Sequence, residues 1–145
     1  MGNKEYTQYL CAGLGGHWLG IEINDILEII NPHDQKVGFD IRDRDRLNYH
    51  DKQIPAIHLS DHLKSEQTAY HTNNRIIVCD LNEQVFGLVV DSAEEIIRIE
   101  EQQIKPLSSD ETNFKTDILS AIIEQEDRTV HILSVEKLFH LIPSR

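Results

Sequence analysis

The residues best equipped for chemistry lie in one short run, His58-Leu-Ser-Asp-His62. Two imidazoles stand at i and i+4, with Asp61 beside the second. On a single helix that spacing would put both rings on one face, as a zinc site needs. Here His58 ends an extended run, Gln53–Leu59, and Ser60-Asp61 offers an N-cap for a short helix through Ser65. The rings then belong to different elements. No glutamate follows the first histidine and neither cysteine is near in sequence, so no metal ligand is assigned. The same five residues include Ser, His and Asp, the types of a hydrolytic triad. Triad members come from separated segments held by a scaffold, a geometry that contiguous residues do not reach. No nucleophile elbow, phosphate loop or dinucleotide fingerprint is present. Cys11 and Cys79 each sit inside an apolar run, where a thiol packs as a small hydrophobe. No catalytic residue and no cofactor site are assigned, and a non-enzymatic role is expected.

The elements that would position any site are strands. Tyr6–Leu14 is a first apolar run, stopped by Gly15-Gly16, a pair that supplies positive φ at a tight turn. In His17–Ile23, Leu19, Ile21 and Ile23 share one face and Trp18, Gly20 and Glu22 the other. Ile26–Ile30 follows, closed by Pro32. Ile26 and Ile30 are expected on the same face as Glu28, which places that carboxylate at a rim or groove. Residues 31–53 are the least legible stretch: Asp40–Leu47 alternates acid and base, which as a strand would set Arg42, Arg44 and Arg46 opposite Asp43 and Asp45, and a solvated loop is expected there instead. Pro55 suggests an edge position for Gln53–Leu59. Ile76–Leu81 and Val85–Val90 form a hairpin across Asn82-Glu83-Gln84. Gly87 in its second strand marks a bend or a close backbone approach. Glu95–Ile99 adds another strand. Glu66–Asn74 and Leu107–Asp117 read as polar loops. Ile118–Glu124 and Thr129–Leu133 pair across Gln125–Arg128, and Ser134 caps a terminal helix, Val135–Leu141. No fixed repeat period is visible. Many short strands with small helices give an all-β fold, and two hairpin groups suggest two small barrels rather than one large one.

Composition narrows the partners. The chain of 145 residues suits one domain with a sizeable core, and 39% hydrophobic with 27% charged residues fits a globular protein. Its net charge of −11 argues against nucleic acid and against anionic lipid surfaces. Met1–Tyr6 has no apolar h-region and no apolar run is long enough to span a bilayer, so a cytoplasmic protein without direct membrane insertion is expected.

Five stretches, in this order, carry a family pattern: Leu14–Ile23, Ile26–Ile30, Ile54–Leu59, Arg75–Asp91 and Val130–Phe139. Together they resemble the CheW-like coupling proteins of bacterial chemotaxis. The resemblance implies two SH3-like five-stranded β-barrel subdomains packed on a shared apolar seam, with a short C-terminal helix, inside a single domain over 1–145. It implies no enzymatic activity and no cofactor. The implied partners are the cytoplasmic domain of a chemoreceptor (a methyl-accepting chemotaxis protein) and the regulatory domain of a CheA-type histidine kinase. The implied role is that of an adaptor joining the two at receptor arrays in the cytoplasm. The alternative is a CheW-like interaction domain serving another pathway, such as pilus motility or polar localisation. Ile26, Glu28, His50 and Ile96 match receptor-groove positions, and no residue is assigned to the kinase contact. Where the family carries Asn-Leu-Arg-Gly, this chain has Asn48-Tyr49-His50-Asp51. An arginine that is always charged is thus replaced by a residue type only partly charged near neutral pH.

Overall fold

A computed structural model of the protein describes residues 6–31, 37–40, 43–59, 75–107 and 118–140. Strand β1 (Tyr6–Leu14) turns back into β2 (His17–Glu22) through Gly15-Gly16, both at positive φ, 56° and 83°. That turn matches the right-handed twist of the strands it joins. A single 3-10 turn at Ile23–Asp25 leads into β3 (Ile26–Ile30). Strands β4 (Val37–Asp40), β5 (Asp43–Tyr49) and β6 (Lys52–His58) follow. Then come β7 (Arg75–Leu81), β8 (Gln84–Val90) and β9 (Ser92–Glu100). A second 3-10 turn leads to β10 (Ile104–Pro106), β11 (Leu119–Glu124), β12 (Thr129–Leu133) and helix α1 (Val135–Phe139). Ser134 caps α1 as expected, its hydroxyl accepting from the Lys137 N–H at 3.2 Å.

The strands form two sheets, ordered β10-β11-β12-β2-β1-β9 and β3-β7-β8-β6-β5-β4. In each, the two outermost strands are consecutive in the chain (β9 and β10, β3 and β4), so each sheet curls round on itself. Each also contains one parallel pair, β12 with β2 and β6 with β8. Each sheet carries six described strands where five were expected, since β10 and β4 add short outer strands.

Alternation along the central strands sorts their side chains into three cores. Tyr9, Cys11, Ile97, Ile99, Ile123, Val130 and Ile132 fill one barrel. Ile30, Leu47, Ile54, Ala56, Ile76, Val78 and Val89 fill the other. The opposite faces of the same strands meet between the sheets. Leu10, Leu19 and Ile21 from one sheet pack there with Ile77, Phe86 and Leu88 from the other, beneath Val135 and Leu138 of α1. This seam is the largest of the three. The expected pair of barrels on a shared apolar joint is the architecture observed. Where the chain passes from β8 to β9, the Asp91 N–H donates to the Gly13 carbonyl at 2.9 Å, and Asp91 Oδ2 accepts from the Gly15 N–H at 2.8 Å. That crossing is thereby tied to the β1–β2 turn.

The registers reveal a repeat that the sequence hides. Cys11 pairs with Gly20 and Glu95, as Val78 pairs with Gly87 and Glu28. Residues 9–30 therefore answer residues 76–97 at one constant separation, 67 positions (9 to 76, 30 to 97). Gly20 and Gly87 coincide, as do Glu28 and Glu95, and Ile29 and Ile96. The turn Asn82-Glu83 copies Gly15-Gly16 without glycine, at φ 52° and 70°. Gln84, expected in the turn, begins β8.

Three further expectations are corrected. Asp43–Tyr49 is a strand, not a loop: backbone pairing on both sides, together with buried Leu47, outweighs its alternating charge. Pro55 is not on an edge strand, because β6 lies inside its sheet. It stands where β6 passes from pairing with β5 (Tyr49↔Lys52 to Arg46↔Pro55) to pairing with β8 from Ala56 onward, so its missing N–H costs little. The terminal helix ends at Phe139 rather than Leu141. The helix expected after Ser60, His62, the loop 66–74 and most of Leu107–Asp117 lie outside the described residues.

A Cβ on Gly87 would stand 2.9 Å from Ile76 Cγ2 and 3.1 Å from Leu47 Cδ2, both in the barrel interior. Neither buried neighbour can swing away. Gly87→Val should therefore lower stability by about 1–3 kcal/mol or more through overpacking. An unchanged denaturation midpoint would show that the bare backbone is incidental.

Candidate functional site

Strand β3 is an outer strand that has one neighbour among the described residues, β7. Its register slips between Ile26↔Cys79 and Glu28↔Val78, which leaves Leu27 as a bulged extra residue. The bulge corrects the expected facing. Ile26 packs against the seam, whereas Ile30 enters the barrel interior and Glu28 stands at its rim. Leu27 and Ile29 are left outside, 54% and 43% exposed.

Glu28 is held from the β5–β6 turn. The Tyr49 hydroxyl donates to Glu28 Oε1 at 2.6 Å. His50 Nε2 stands 3.9 Å from the same oxygen, and both side chains of this pair are largely solvent-exposed. The His50 ring meets Tyr49 edge to face, centroids 4.4 Å apart, with its backbone at φ 55° in the tight turn. The hydrogen bond to Glu28 pushes the Tyr49 phenol up to about 12, assisted by burial and by the carboxylate's charge. The structure thus brings Glu28 and His50 together. It turns Ile26 inward and puts Ile96 on the other sheet.

Ile96 lies on β9, the outer strand of that sheet, and is 58% exposed. It faces the same side as its partner Leu10, a seam residue, so it continues the apolar joint outward. β9 repeats the device of β3. Its register slips at Glu94, and Glu95 follows the bulge as Glu28 does. Here an arginine closes the contact. Arg128 pairs with Glu95, donates to Gln125 Oε1 at 2.6 Å, and lies over the Trp18 ring at 4.8 Å. At the far end of β1, Arg98 covers the Tyr6 ring at 4.4 Å.

The other chemically equipped residues are packed away. His58 and His131 are buried, and burial holds the His131 imidazole below the ordinary histidine range despite a hydrogen bond with the Trp18 backbone. Cys11 and Cys79 are free, buried thiols. His62 lies outside the described residues, so the spacing of His58 and His62 is left as a sequence feature. Among the described residues no three metal-ligating side chains converge, and no helix is long and apolar enough to cross a membrane. What the surface offers is contact area: apolar side chains on two outer strands, each flanked by an anchored carboxylate. Sequence reasoning missed Leu27, Ile29 and Tyr49. The signal for the first two was β3 itself, since Ile-Leu-Glu-Ile-Ile is too apolar for a strand with one neighbour unless something covers it.

The CheW-like domain family matches residues 8–142. This chain belongs to that family. It is 29% identical over 146 residues to the chemotaxis protein CheW of Helicobacter pylori, covering 94% of this chain and 83% of that protein. To CheW of Klebsiella aerogenes it is 25% identical over 85 residues, covering 59% of this chain and 51% of that protein, about half its length. The scaffolding protein TtCheW from Thermoanaerobacter tengcongensis shares the fold with a TM-score of 0.77 at 23% identity, over 90% of each chain. The CheW-like architecture of two SH3-like subdomains accounts for the paired barrels, and the β3 and β9 bulges recur once in each.

Raised thiols and phenols make the fold sensitive to alkali, Cys79 and Tyr49 most of all. Burial, with the Asp25 charge second, pushes the Cys79 thiol from 9.0 to about 12, and Tyr49 rises from 10.0 to about 12. The folded state holds both protons more tightly than the unfolded chain. Their stabilisation is therefore complete below about pH 9 and is lost between pH 9 and 12. Urea midpoints measured from pH 8 to 12 should fall over that window, and less steeply for Cys79→Ala. Parallel curves for the two proteins would refute the assignment to Cys79.

Proposed function

We propose that this CheW-like protein is a non-catalytic adaptor of chemotaxis signalling, coupling the cytoplasmic tips of chemoreceptors to a CheA-type histidine kinase at cytoplasmic receptor arrays. The observation that carries the reading is the family match across residues 8–142. The named relatives, two chemotaxis proteins and a scaffolding protein, support it.

The exposed outer strands suit the receptor side of that role. Leu27 and Ile29 on β3 and Ile96 on β9 would supply the binding energy, since burying one such side chain is worth about 1.5–3 kcal/mol. Glu28, with His50 beside it, would set register and encounter rate more than affinity. Ile26 contributes from behind, by seating β3 on the seam. A modest interface fits an array in which many weak contacts act together. The kinase would be met barrel to barrel by its own regulatory domain.

One observation favours a second reading. Tyr49-His50 stands where the family pattern has Leu-Arg, so the neighbour of Glu28 is no longer a permanent cation. A CheW-like domain whose groove has diverged would serve a different partner, in pilus motility or polar localisation, while keeping the kinase contact.

Glu28→Lys should weaken capture of a purified chemoreceptor cytoplasmic hairpin by about tenfold or more, with the melting temperature within a few degrees of wild type. Capture of the kinase regulatory domain without any capture of the receptor hairpin by the wild-type protein would favour the second reading. Unchanged receptor affinity in the variant would remove Glu28 from the groove.

A further inference from the structure

Glu28 and Glu95 occupy equivalent places, each just after the bulge of an outer strand, and each is met by a residue from a hairpin turn of its own barrel. The two turns treat their carboxylates differently. Arg128 neutralises Glu95. Its side chain is only 14% exposed, stacked on Trp18 and shared with Gln125. That carboxylate is engaged in closing its own barrel, over Cys11, whose thiol feels both charges. At Glu28 the donor is a neutral phenol at 2.6 Å, its ring packed against the barrel interior and supported edge to face by His50. A phenol orients a carboxylate without cancelling its charge. The basic side chain that meets that oxygen is His50, at 3.9 Å and well exposed, a geometry that adds little.

We propose that Tyr49 is a positioning residue: its hydroxyl fixes the Glu28 carboxylate beside exposed Leu27 and Ile29, so that the β3 edge reads a partner surface in which a lysine or arginine adjoins apolar side chains. The β9 edge, whose glutamate is already neutralised, reads only the apolar part through Ile96. The two barrels, alike in fold, thus present unlike docking edges. The proposal rests on the receptor-side reading above for the identity of the partner, and on the Tyr49–Glu28 contact for everything else.

The test combines a double-mutant cycle with a titration. Tyr49→Phe keeps the ring and removes the hydroxyl. It should weaken binding of a purified chemoreceptor cytoplasmic hairpin about 2- to 10-fold, the ordinary worth of one such hydrogen bond. In a Glu28→Gln background the same change should cost nothing further. Tyr49 ring-carbon resonances, followed by NMR against pH, should titrate near pH 12 in the wild type and lower in Glu28→Gln. Glu95→Gln should lower the melting temperature, and Tyr49→Phe should leave the fold intact by circular dichroism. A Tyr49 titration unmoved by Glu28→Gln would overturn the proposal, as would equal losses from Tyr49→Phe in both backgrounds. If the titration moves as expected and no variant alters receptor binding, the contact stands and the receptor reading falls.

Discussion

The constraint on which the molecule depends is that its central strands are apolar on both faces. A single curled sheet of this size can hide only one. Ile76 and Val78 of β7 enter their own barrel, so Ile77 and Cys79, which alternate with them, would face water if the barrel stood alone. The same holds for β1, where Tyr9 and Cys11 turn inward and Leu10 and Ala12 outward. Packing the two outward faces together resolves both exposures at once. At about 25 cal/mol per Å² of apolar area removed from water, a joint of this extent supplies much of what holds the fold together. The capped helix α1 closes one end of it with Val135 and Leu138.

The candidate site follows from where that joint stops. β3 and β9 are the outermost strands on equivalent sides of their sheets, and their seam-side isoleucines, Ile29 and Ile96, find too little left to pack against. The bulge before each glutamate separates an inward isoleucine or alanine from an outward carboxylate. A regular strand would have left Glu28 in phase with Ile26. The extra residue supplies the shift of face that a charged rim beside an apolar groove requires.

Much of this was legible from the residues alone. Hairpins announced themselves through Gly15-Gly16 and through alternation in Ile76–Leu81, and the order of the short strands carried the family resemblance and hence the paired barrels. What escaped had physical reasons. The strand at Asp43–Tyr49 carries alternating charges around buried Leu47, so its polarity resembled solvated coil. Pro55 misled because a proline withholds one donor from one neighbour at one point, and β6 changes neighbours there. Bulges leave no mark in a hydrophobic pattern, so the facing of Ile26 and Glu28 could not be read. The internal repeat was invisible because only scattered positions, such as Gly20 with Gly87 and Glu28 with Glu95, kept their residue types. Register, not similarity, discloses it. Of the four groove candidates, Glu28 and His50 were placed together, and Tyr49 between them was overlooked because a turn tyrosine looks like any other.

The order of strands also has a consequence for biosynthesis. One barrel is built from a continuous stretch, β3 through β8. The other takes its first two strands from the beginning of the described chain and its last four from the end, joined by the parallel pairing of β2 with β12. A ribosome therefore releases the inner barrel as a complete unit while β1 and β2 still wait for mates. Such long-range closure is entropically slow. Until β12 emerges, the nascent chain exposes one face of its first hairpin.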